Sequence, residues 1–506
     1  METRKIVIIG AGISGLSAGI YARLNEYDVT ILEMGQHAGG VCTSWRRDGY
    51  YVNGSLHWLI GSAPGSEVHD MWKQLGVIED SKFYYHNSFV EYRDLEGTDV
   101  HFYTDIDKLR QHFSDISPQD SDVIEELCSG VRTLAEDDLP FGKSFELLTA
   151  WDWTKFMLNN FPVIMAMGKF TQMTVGDFAE KFRSRVLKAA LENFWSRDMS
   201  MIFFLLQLAF ASKKYAGYML GGSGEFTDKL VRRFTTLGGR LTFGQKAARI
   251  LIDGNTVIGV ETSDGAKHFA DYVIAACDGR TVLFDMLDEK YIDHRTRRAY
   301  QSFHTFPSLI YFSGGINRTF DDVRSSIMGL NLPLRKPVKA GNHIHSRASF
   351  QLYSFDPQLS PPGKTLITAM LHTDYDYWKS LYDESLEKYH AEQASLCDQI
   401  IKNLEPHFPG ITALVEFTDM ATPITYQSLT GNYKGSYEGW LPTPEALRTN
   451  LPSHFKTLKN FYMAGHWVKP GGGMPPAAFS GRDAIHLICR DEKRHFNTED
   501  LSTVSV

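Results

Sequence analysis

The first 33 residues carry the feature that most constrains the fold: a strand, a glycine-rich turn, a helix and a second strand. The run "KIVII", Lys5 to Ile9, is typical of a strand buried on both faces of a parallel sheet. Gly10, Gly12 and Gly15 follow it in the spacing G-x-G-x-x-G. The first glycine permits a tight turn, the second lets backbone approach a diphosphate, and the third lets helix and strand pack closely. The segment therefore predicts a dinucleotide-binding unit.

The helix that follows the turn supplies groups that bind the diphosphate. The N–H groups near Ile13 and Ser14 have no partner within a helix, and the helix dipole adds partial positive charge there. The second strand, "DVTIL", leads to Glu33 and Met34. An acidic side chain at this position accepts hydrogen bonds from ribose hydroxyls and repels a 2′-phosphate. A glycine turn without a ligand is the alternative, and the two flanking strands argue against it.

The next stretch, "MGQHAGGVCTSWRRDGYYVNGSLHWLIG", resembles the flavoprotein oxidoreductases of the amine oxidase and phytoene desaturase type. The resemblance implies FAD rather than NAD as the cofactor. It also implies that Gly39, Gly40 and Val41 lie along FAD, and that the segment ending in Leu56 and His57 passes near the flavin ring. Many amine oxidases have Arg where this chain has Val41, which disfavours amine oxidation.

A second strand, glycine loop and helix are predicted near the other end of the chain, in "KNFYMAGHW", "VKPGGGMPPA" and "AFSGRDAIHLICR". FAD is too long for one phosphate loop, so a second helix N-terminus is expected to present N–H groups to the ribityl chain and the pyrimidine carbonyls. We predict the closest N–H contacts at Gly473 and Met474. Many flavoproteins have Asp or Glu after the glycine equivalent to Gly465, whereas this chain has His466, so a ribityl contact by that side chain stays open.

The resemblance extends over nearly the whole chain. In the related flavoproteins, backbone at the position of Ala247 touches the adenine, and the stretch "FPGITALVEFTDMATPITYQSLTGNYKGSYEGWLPTPE" looks like the phytoene desaturase, carotenoid isomerase and retinol saturase group. It implies an α/β fold class, with a Rossmann-type FAD-binding domain of three-layer ββα architecture and an α+β substrate domain. The implied FAD-binding domain comprises 1–75, 220–295 and 405–506, and the substrate domain comprises 76–219 and 296–404.

Composition excludes several other classes of protein. A net charge of −8, without a Lys/Arg-rich block, argues against a nucleic-acid partner. The five cysteines are scattered and never in C-x-x-C spacing, so neither a disulfide framework nor a metal site is expected. The N-terminus carries no signal-peptide pattern, and we expect a cytoplasmic protein. The apolar stretch from Trp151 to Phe170 is either a half-buried core helix or a site of peripheral membrane contact.

The substrate is expected to occupy an apolar tunnel that ends at the flavin. Met and Phe suit an elongated chain because they adapt in shape and carry no charge to desolvate. The alternative is that these residues only pack the domain together. The predicted tunnel residues lie within 140–220 and are Phe156, Phe161, Ile164, Met165, Phe203, Phe204 and Phe210.

We therefore predict an FAD-dependent oxidoreductase acting on carbon–carbon double bonds of an apolar polyene or lipid-like substrate, as a desaturase or saturase, with an electron donor or acceptor that the sequence does not identify. Three alternatives stay open: a flavin-dependent cis/trans isomerase of a polyene, an amine oxidase, and a lipid-binding protein without catalysis. No catalytic residue is predicted with a defined role. His57 and His466 are the candidates, and for each of them a packing role is the alternative to acid–base chemistry.

Overall fold

The structure is a computed structural model that describes residues 3–499, except 137–144, 150, 152–153, 155–157, 159, 195, 322, 324–325, 327–328 and 450. The strands are β1 Lys5–Ile9, β2 Asp28–Leu32, β3 Ser44–Arg47, β4 Tyr50–Asn53, β5 Leu59–Ile60, β6 Phe83–Tyr84, β7 Ser88–Tyr92, β8 Val100–Tyr103, β9 Ala216–Met219, β10 Arg240–Thr242, β11 Ala247–Asp253, β12 Thr256–Thr262, β13 Lys267–Phe269, β14 Tyr272–Ala275, β15 Leu309–Ile316, β16 Leu330–Ala340, β17 His343–Leu352, β18 Thr365–His372, β19 Val415–Ala421 and β20 Phe461–Met463. The α-helices are α1 Ile13–Leu24, α2 Glu67–Gln74, α3 Ile106–Ile116, α4 Ser121–Glu136, α5 Phe161–Thr171, α6 Val175–Ala179, α7 Arg185–Glu192, α8 Met201–Ser212, α9 Gly222–Thr236, α10 His294–Ser302, α11 Tyr375–Glu384, α12 Leu386–Leu404, α13 Pro423–Thr430, α14 Pro444–Arg448 and α15 Met474–Asp491.

A five-stranded parallel sheet organises the first domain, in the order β10-β2-β1-β14-β20. The first strand of the chain occupies its centre, and the last strand of the chain forms one edge. Because all five strands run the same way, their carboxyl ends meet at one side of the sheet. The loops after β1, β2 and β20 therefore lie close together there, which is where a ligand binds in open α/β sheets.

The two faces of this sheet are covered by different layers, as the apolar pattern of β1 requires. Ile6 and Ile8 pack in a core with α1, α9 and α15, whereas Val7 and Ile9 pack against the β11–β12–β13 meander. Alternate side chains of a strand point to opposite faces, so a strand covered on both sides is apolar throughout. The predicted Rossmann-type, three-layer ββα architecture built from distant segments is confirmed.

A seven-stranded mixed sheet organises the second domain, in the order β19-β15-β18-β17-β16-β7-β8. Helix α12 packs on one part of this sheet, and α3, α4, α7 and α8 form a separate apolar core beside β7 and β8. The domain is α+β, as predicted. The exact domain boundaries stay a prediction, although β19, which we assigned to the FAD-binding domain, pairs with β15 of the substrate domain.

Candidate active site

The first glycine loop has the geometry that its sequence predicts. Gly10 has a φ of +97°, and a Cβ there would lie 2.8 Å from the carbonyl oxygen of Ala276. A Cβ on Gly15 would lie 1.9 Å from the Gly10 carbonyl oxygen, so α1 and the turn are in direct backbone contact. A Cβ on Gly12, by contrast, would meet no protein atom within 4 Å and would project into free space. The first and third glycines pack, and the second leaves space for a ligand.

Glu33 and the Gly39–Gly40 pair complete this first loop. The carboxylate of Glu33 accepts hydrogen bonds from the N–H of Ala11 (2.7 Å) and the N–H of Gly35 (2.7 Å). A carboxylate has about four lone-pair sites, so two remain for the predicted ribose contact. The N–H of Gly39 donates to the carbonyl of Ala11 (2.8 Å), which lays this glycine pair directly beside Gly12.

The second loop joins β20 to α15 and turns through three consecutive glycines with positive φ, namely 150° at Gly471, 68° at Gly472 and 74° at Gly473. Residues with side chains rarely adopt such angles, which explains the triple glycine. Nε2 of His466 hydrogen-bonds the carbonyl of Gly473 (2.7 Å). Since a carbonyl only accepts, this nitrogen carries the proton. Burial lowers the pKa of His466, so the ring is neutral around pH 7.

One predicted contact of the second loop differs in the structure. The N–H of Gly473 donates to the carboxylate of Glu438 at 2.6 Å, so it is not free for the flavin pyrimidine carbonyls as predicted. The next residue, Met474, begins α15, and no side chain caps this helix. The helix α1 likewise begins without a side-chain cap after Gly12. Two uncapped helix N-termini therefore face the same space, and each offers N–H groups to an anionic or electronegative ligand.

A close helix crossing joins the two ends of the chain. Ser17 Oγ of α1 donates to the carbonyl of Ala478 in α15 at 2.7 Å. A Cβ on Gly481 would lie 2.2 Å from the carbonyl oxygen of Ser14, so the two helices touch backbone to backbone there. The N–H of Gly465 also donates to Ser480 Oγ at 2.7 Å. This crossing sets the distance between the two loops.

Both loops line one cavity of about 1970 Å³. Typical ligand sites occupy roughly 300–1,000 Å³, so this cavity has space for a large cofactor and a substrate together. It brings together most of the predicted cofactor-binding residues: Gly10, Gly12, Ile13, Ser14, Glu33, Met34, Gly39, Gly40, Val41, His57, Ala247, Gly465, His466, Gly473 and Met474.

Two predicted cofactor-binding residues do not line the cavity. Gly15 is pressed against the Gly10 carbonyl, so its role is helix packing. Leu56 is fully buried in the apolar core, and its N–H donates to Ser223 Oγ at 2.9 Å. His57, one residue later, does reach the cavity. The contacts of all these residues with FAD itself stay a prediction.

Helices α5 and α8 form the apolar part of the cavity wall. Each contributes residues spaced i, i+3, i+4 and i+7, which is one face of a helix. These residues are Ile164, Met167, Gly168 and Thr171 of α5, and Phe203, Leu206, Gln207 and Phe210 of α8. The predicted tunnel residues Ile164, Phe203 and Phe210 therefore do line the cavity.

The other predicted tunnel residues do not. Phe161 and Met165 of α5 do not line the cavity and are 61% and 60% exposed to solvent. Phe204 is fully buried in the core with Phe102 and Phe194. Phe156 lies outside the described residues. The prediction counted apolar residues without knowing how each helix packs, and the packing decides which of its side chains face the cavity.

Three cavity groups have unusual electrostatics. Burial raises the pKa of Glu438 to about 7, although the hydrogen bond from the Gly473 N–H opposes this shift. Burial lowers the pKa of His57 to about 4, and its Nδ1 has no hydrogen-bond partner in the described structure. Burial also lowers the pKa of the Arg347 guanidinium. Glu438 and Arg347 were not predicted, because neither belongs to a local sequence motif.

These features fit a flavin dinucleotide. The free space above Gly12 and the uncapped start of α1 suit a diphosphate, and the start of α15 suits the electronegative edge of the flavin. Within the described part of the chain, no group of three or more His, Cys, Asp or Glu residues could hold a metal ion. None of the described helices is long and apolar enough to cross a bilayer.

Comparison with known proteins agrees with this geometry. The chain is 20% identical to a prolycopene isomerase of Arabidopsis thaliana, over 96% of this chain and 82% of that protein. It is 22% identical to a lycopene-forming phytoene desaturase of a Paracoccus species, over 96% and 97% of the two chains. Its fold matches that of a putrescine oxidase variant with a TM-score of 0.61 at 13% identity, over 96% and 99%.

The profile of one protein family, described as "Flavin containing amine oxidoreductase", matches residues 13–486, which include the second glycine loop and span both domains. The match extends from the start of α1 to the middle of α15, the two helices whose N-termini face the cavity. The chain therefore belongs to the flavin containing amine oxidoreductase family and is an FAD-dependent enzyme.

Proposed function

We propose that this enzyme acts on carbon–carbon double bonds of an apolar polyene or lipid-like substrate, as a desaturase or saturase. The observation that carries the proposal is the pair of helix faces, from α5 and α8, that wall an apolar chamber continuous with the flavin loops. An elongated hydrocarbon gains free energy by leaving water for such a chamber, at about 25 cal/mol for each Å² of apolar surface buried. The polyene-converting relatives support the same substrate class.

Bound FAD would supply the two-electron redox chemistry. The chain's own residues bind and orient the substrate, and they hold protons. Glu438 keeps a proton on the cavity wall for part of the time at neutral pH, because its pKa is raised to about 7. His57 and His466 are neutral there, since burial lowers both of their pKa values. His466 orients the second loop through its hydrogen bond to Gly473, which is a positioning role.

Isomerisation of a polyene double bond is the second candidate, because relatives named prolycopene isomerases align with 96% and 97% of this chain. An isomerase needs no net electron transfer, whereas a desaturase delivers electrons to an acceptor and a saturase takes them from a donor. The residues of the cavity are compatible with all three reactions.

An anaerobic titration of the purified yellow holoprotein separates these functions. We expect phytoene or prolycopene to change the flavin absorbance, whereas putrescine does not. Bleaching of the flavin by the polyene indicates desaturation. Turnover only with pre-reduced flavin indicates saturation when electrons are consumed and isomerisation when they are not. Reduction of the flavin by putrescine alone would overturn the proposal in favour of amine oxidation.

We also propose a cytoplasmic enzyme that touches membranes at its surface. Trp151, Leu158, Phe161 and Met165 are between 60% and 77% exposed, and they cluster in the segment that continues into the cavity helix α5. Such a surface would let an apolar substrate pass from a bilayer to the cavity without crossing water. Flotation with phospholipid vesicles tests it: the wild type should float, and the doubly substituted Phe161→Ser, Met165→Ser variant should float less. Equal flotation of both proteins would refute the contact.

A further inference from the structure

Arg347 places a fixed cation in the cavity wall. It lies on β17, whose residues His345, Arg347, Ser349 and Gln351 all line the cavity. Its Nε donates to Asn331 Oδ1 at 2.6 Å, and its Nη2 donates to the carbonyls of Asn331 (2.9 Å) and Arg93. The guanidinium carbon lies 3.8 Å from the centroid of the Tyr92 ring. Hydrogen bonds therefore hold the edge of the guanidinium plane, and the aromatic ring holds its face.

This cation lacks the carboxylate that such a site ordinarily contains. No Asp or Glu of the described structure lies within 4 Å of the guanidinium. The charge of Asp94 attracts it only from beyond that distance, and burial dominates, so the pKa of Arg347 is lowered. The N–H groups of Nη1 have no acceptor among the described residues. A half-buried cation without an anion is costly, and such a group is ready to bind one.

The position of Arg347 along β17 relates it to the flavin loops. Gln351 is a neighbour of His57, which lies in the segment predicted to pass near the flavin ring. Gln351 is the fourth residue after Arg347, and a strand rises about 3.3 Å for each residue, so the two are about 13 Å apart. The apolar faces of α5 and α8 line the same cavity. An elongated ligand can therefore have one end near His57 and the other at Arg347.

Neighbouring charges do not oppose an anion at this position. Glu192 lines the cavity, but Arg197 Nη1 lies 3.2 Å from its Oε1 and compensates its charge. Arg448 is a second cavity arginine, but it is exposed and its Nε donates to the carbonyl of Pro444 at 3.0 Å. A single fixed guanidinium suits a singly charged, planar carboxylate, because a phosphate with two charges would need further cations.

We propose that Arg347 is a specificity-determining subsite that binds the carboxylate of an elongated unsaturated acid, about 13 Å from the flavin end of the cavity. The inference rests on the proposed function, since it defines the polar end of the same apolar substrate. It distinguishes this enzyme from one that takes only pure hydrocarbons. The remaining Nη1 donors form charge-assisted hydrogen bonds with the carboxylate oxygens.

A matched pair of ligands tests the subsite on the FAD-loaded protein. Linoleic acid and methyl linoleate have the same chain and differ in the charge at one end. We expect the wild type to bind the acid at least tenfold more tightly than the ester, measured by calorimetry at neutral pH. Arg347→Gln should remove this preference while changing the affinity for the ester less than twofold. Arg448→Gln, which alters the exposed arginine, should retain the preference.

The outcomes separate this inference from the proposed function. If the wild type binds acid and ester equally, or binds neither, the proposed carboxylate subsite is refuted. The wild-type measurement alone decides this point. A preference that survives in Arg347→Gln, with flavin content and unfolding temperature unchanged, overturns the role of Arg347. Compared with Arg347→Gln, Arg347→Lys should recover part of the preference, because lysine restores the positive charge but not the planar arrangement of guanidinium donors. The polyene and putrescine titrations judge the proposed function independently of all these results.

Discussion

Two helix N-termini face the cavity, one from each end of the chain. They share the same local structure, but different contacts stabilise their loops. Each follows a parallel strand and a glycine loop, and each starts without a side-chain cap. In each loop a glutamate accepts a backbone N–H: Glu33 from Ala11 at 2.7 Å, and Glu438 from Gly473 at 2.6 Å. The first glutamate follows the adjacent strand β2, whereas the second comes from a distant loop outside the sheet.

The difference teaches how each loop keeps its shape. Glu33 accepts hydrogen bonds from two backbone N–H groups, and these bonds stabilise the negative charge of its carboxylate. Glu438 accepts one, and burial raises its pKa to about 7. The second loop also needs three glycines with positive φ and the hydrogen bond from His466. The first loop is therefore a self-contained motif, and the second depends on the surrounding fold and on its protonation.

The largest effect is expected from blocking the first loop. Gly12→Val should lower FAD affinity at least a hundredfold and leave the fold intact, because the added side chain fills ligand space and meets no protein atom at Cβ. Flavin absorbance and circular dichroism measure the two properties. Gly168→Val is the control, since a Cβ there also meets nothing within 4 Å but lies in α5, and it should retain FAD. Flavin retained by Gly12→Val would refute the role of this loop.

A smaller effect, on stability, is expected where the two helices cross. Gly481→Ala should lower the free energy of unfolding by about 2–3 kcal/mol, because its Cβ would lie 2.2 Å from the Ser14 carbonyl oxygen and overpack the crossing. Gly168→Ala is again the matched control. It should raise stability by up to about 1 kcal/mol, since alanine favours a helix more than glycine does. Denaturant titration measures both, and equal stability of the two variants would mean that the crossing tolerates a methyl group.

The protonation of the second loop can be tested by pH. Because the pKa of Glu438 is raised to about 7, the folded protein binds more protons than the unfolded chain between pH 4.5 and 7, and stability falls as pH rises through that window. Each pKa unit is worth about 1.4 kcal/mol, which sets an upper bound of roughly 3 kcal/mol for a fully desolvated group. Glu438→Gln should lose this pH dependence and be the more stable protein at pH 8. Parallel stability profiles for the two proteins from pH 5 to 8 would contradict the shift.

The smallest effect is expected at His466. His466→Ala removes the donor to the Gly473 carbonyl, and a neutral hydrogen bond is worth about 1 kcal/mol, so FAD affinity should fall roughly fivefold. His466→Gln retains a donor and should recover part of the loss. Calorimetric titration of the apoprotein with FAD measures both variants. An unchanged affinity in the alanine variant would show that the second loop holds its shape without this contact.

What the sequence alone determined is local. The G-x-G-x-x-G spacing, the strands on either side of it and the glycine loop before α15 are short segments whose hydrogen bonds and φ angles depend on their own residues. The predicted roles of Gly10 in the turn and of Gly15 in helix packing match the structure, and Gly12 has the free space that its predicted ligand contact requires. The three-layer architecture could be predicted for the same reason, since apolar runs such as Lys5–Ile9 fit only a strand that is covered on both faces.

What only the tertiary structure decided is which distant residues meet. The sequence could not show that Phe161 and Met165 are exposed while Ile164 lines the cavity, because this depends on how α5 packs against its neighbours. Nor could it place Glu438 on the Gly473 N–H or bring Arg347 to the cavity wall without a carboxylate. A side chain acquires its pKa and its ligand from desolvation and from neighbours hundreds of residues away, and these exist only once the chain has folded.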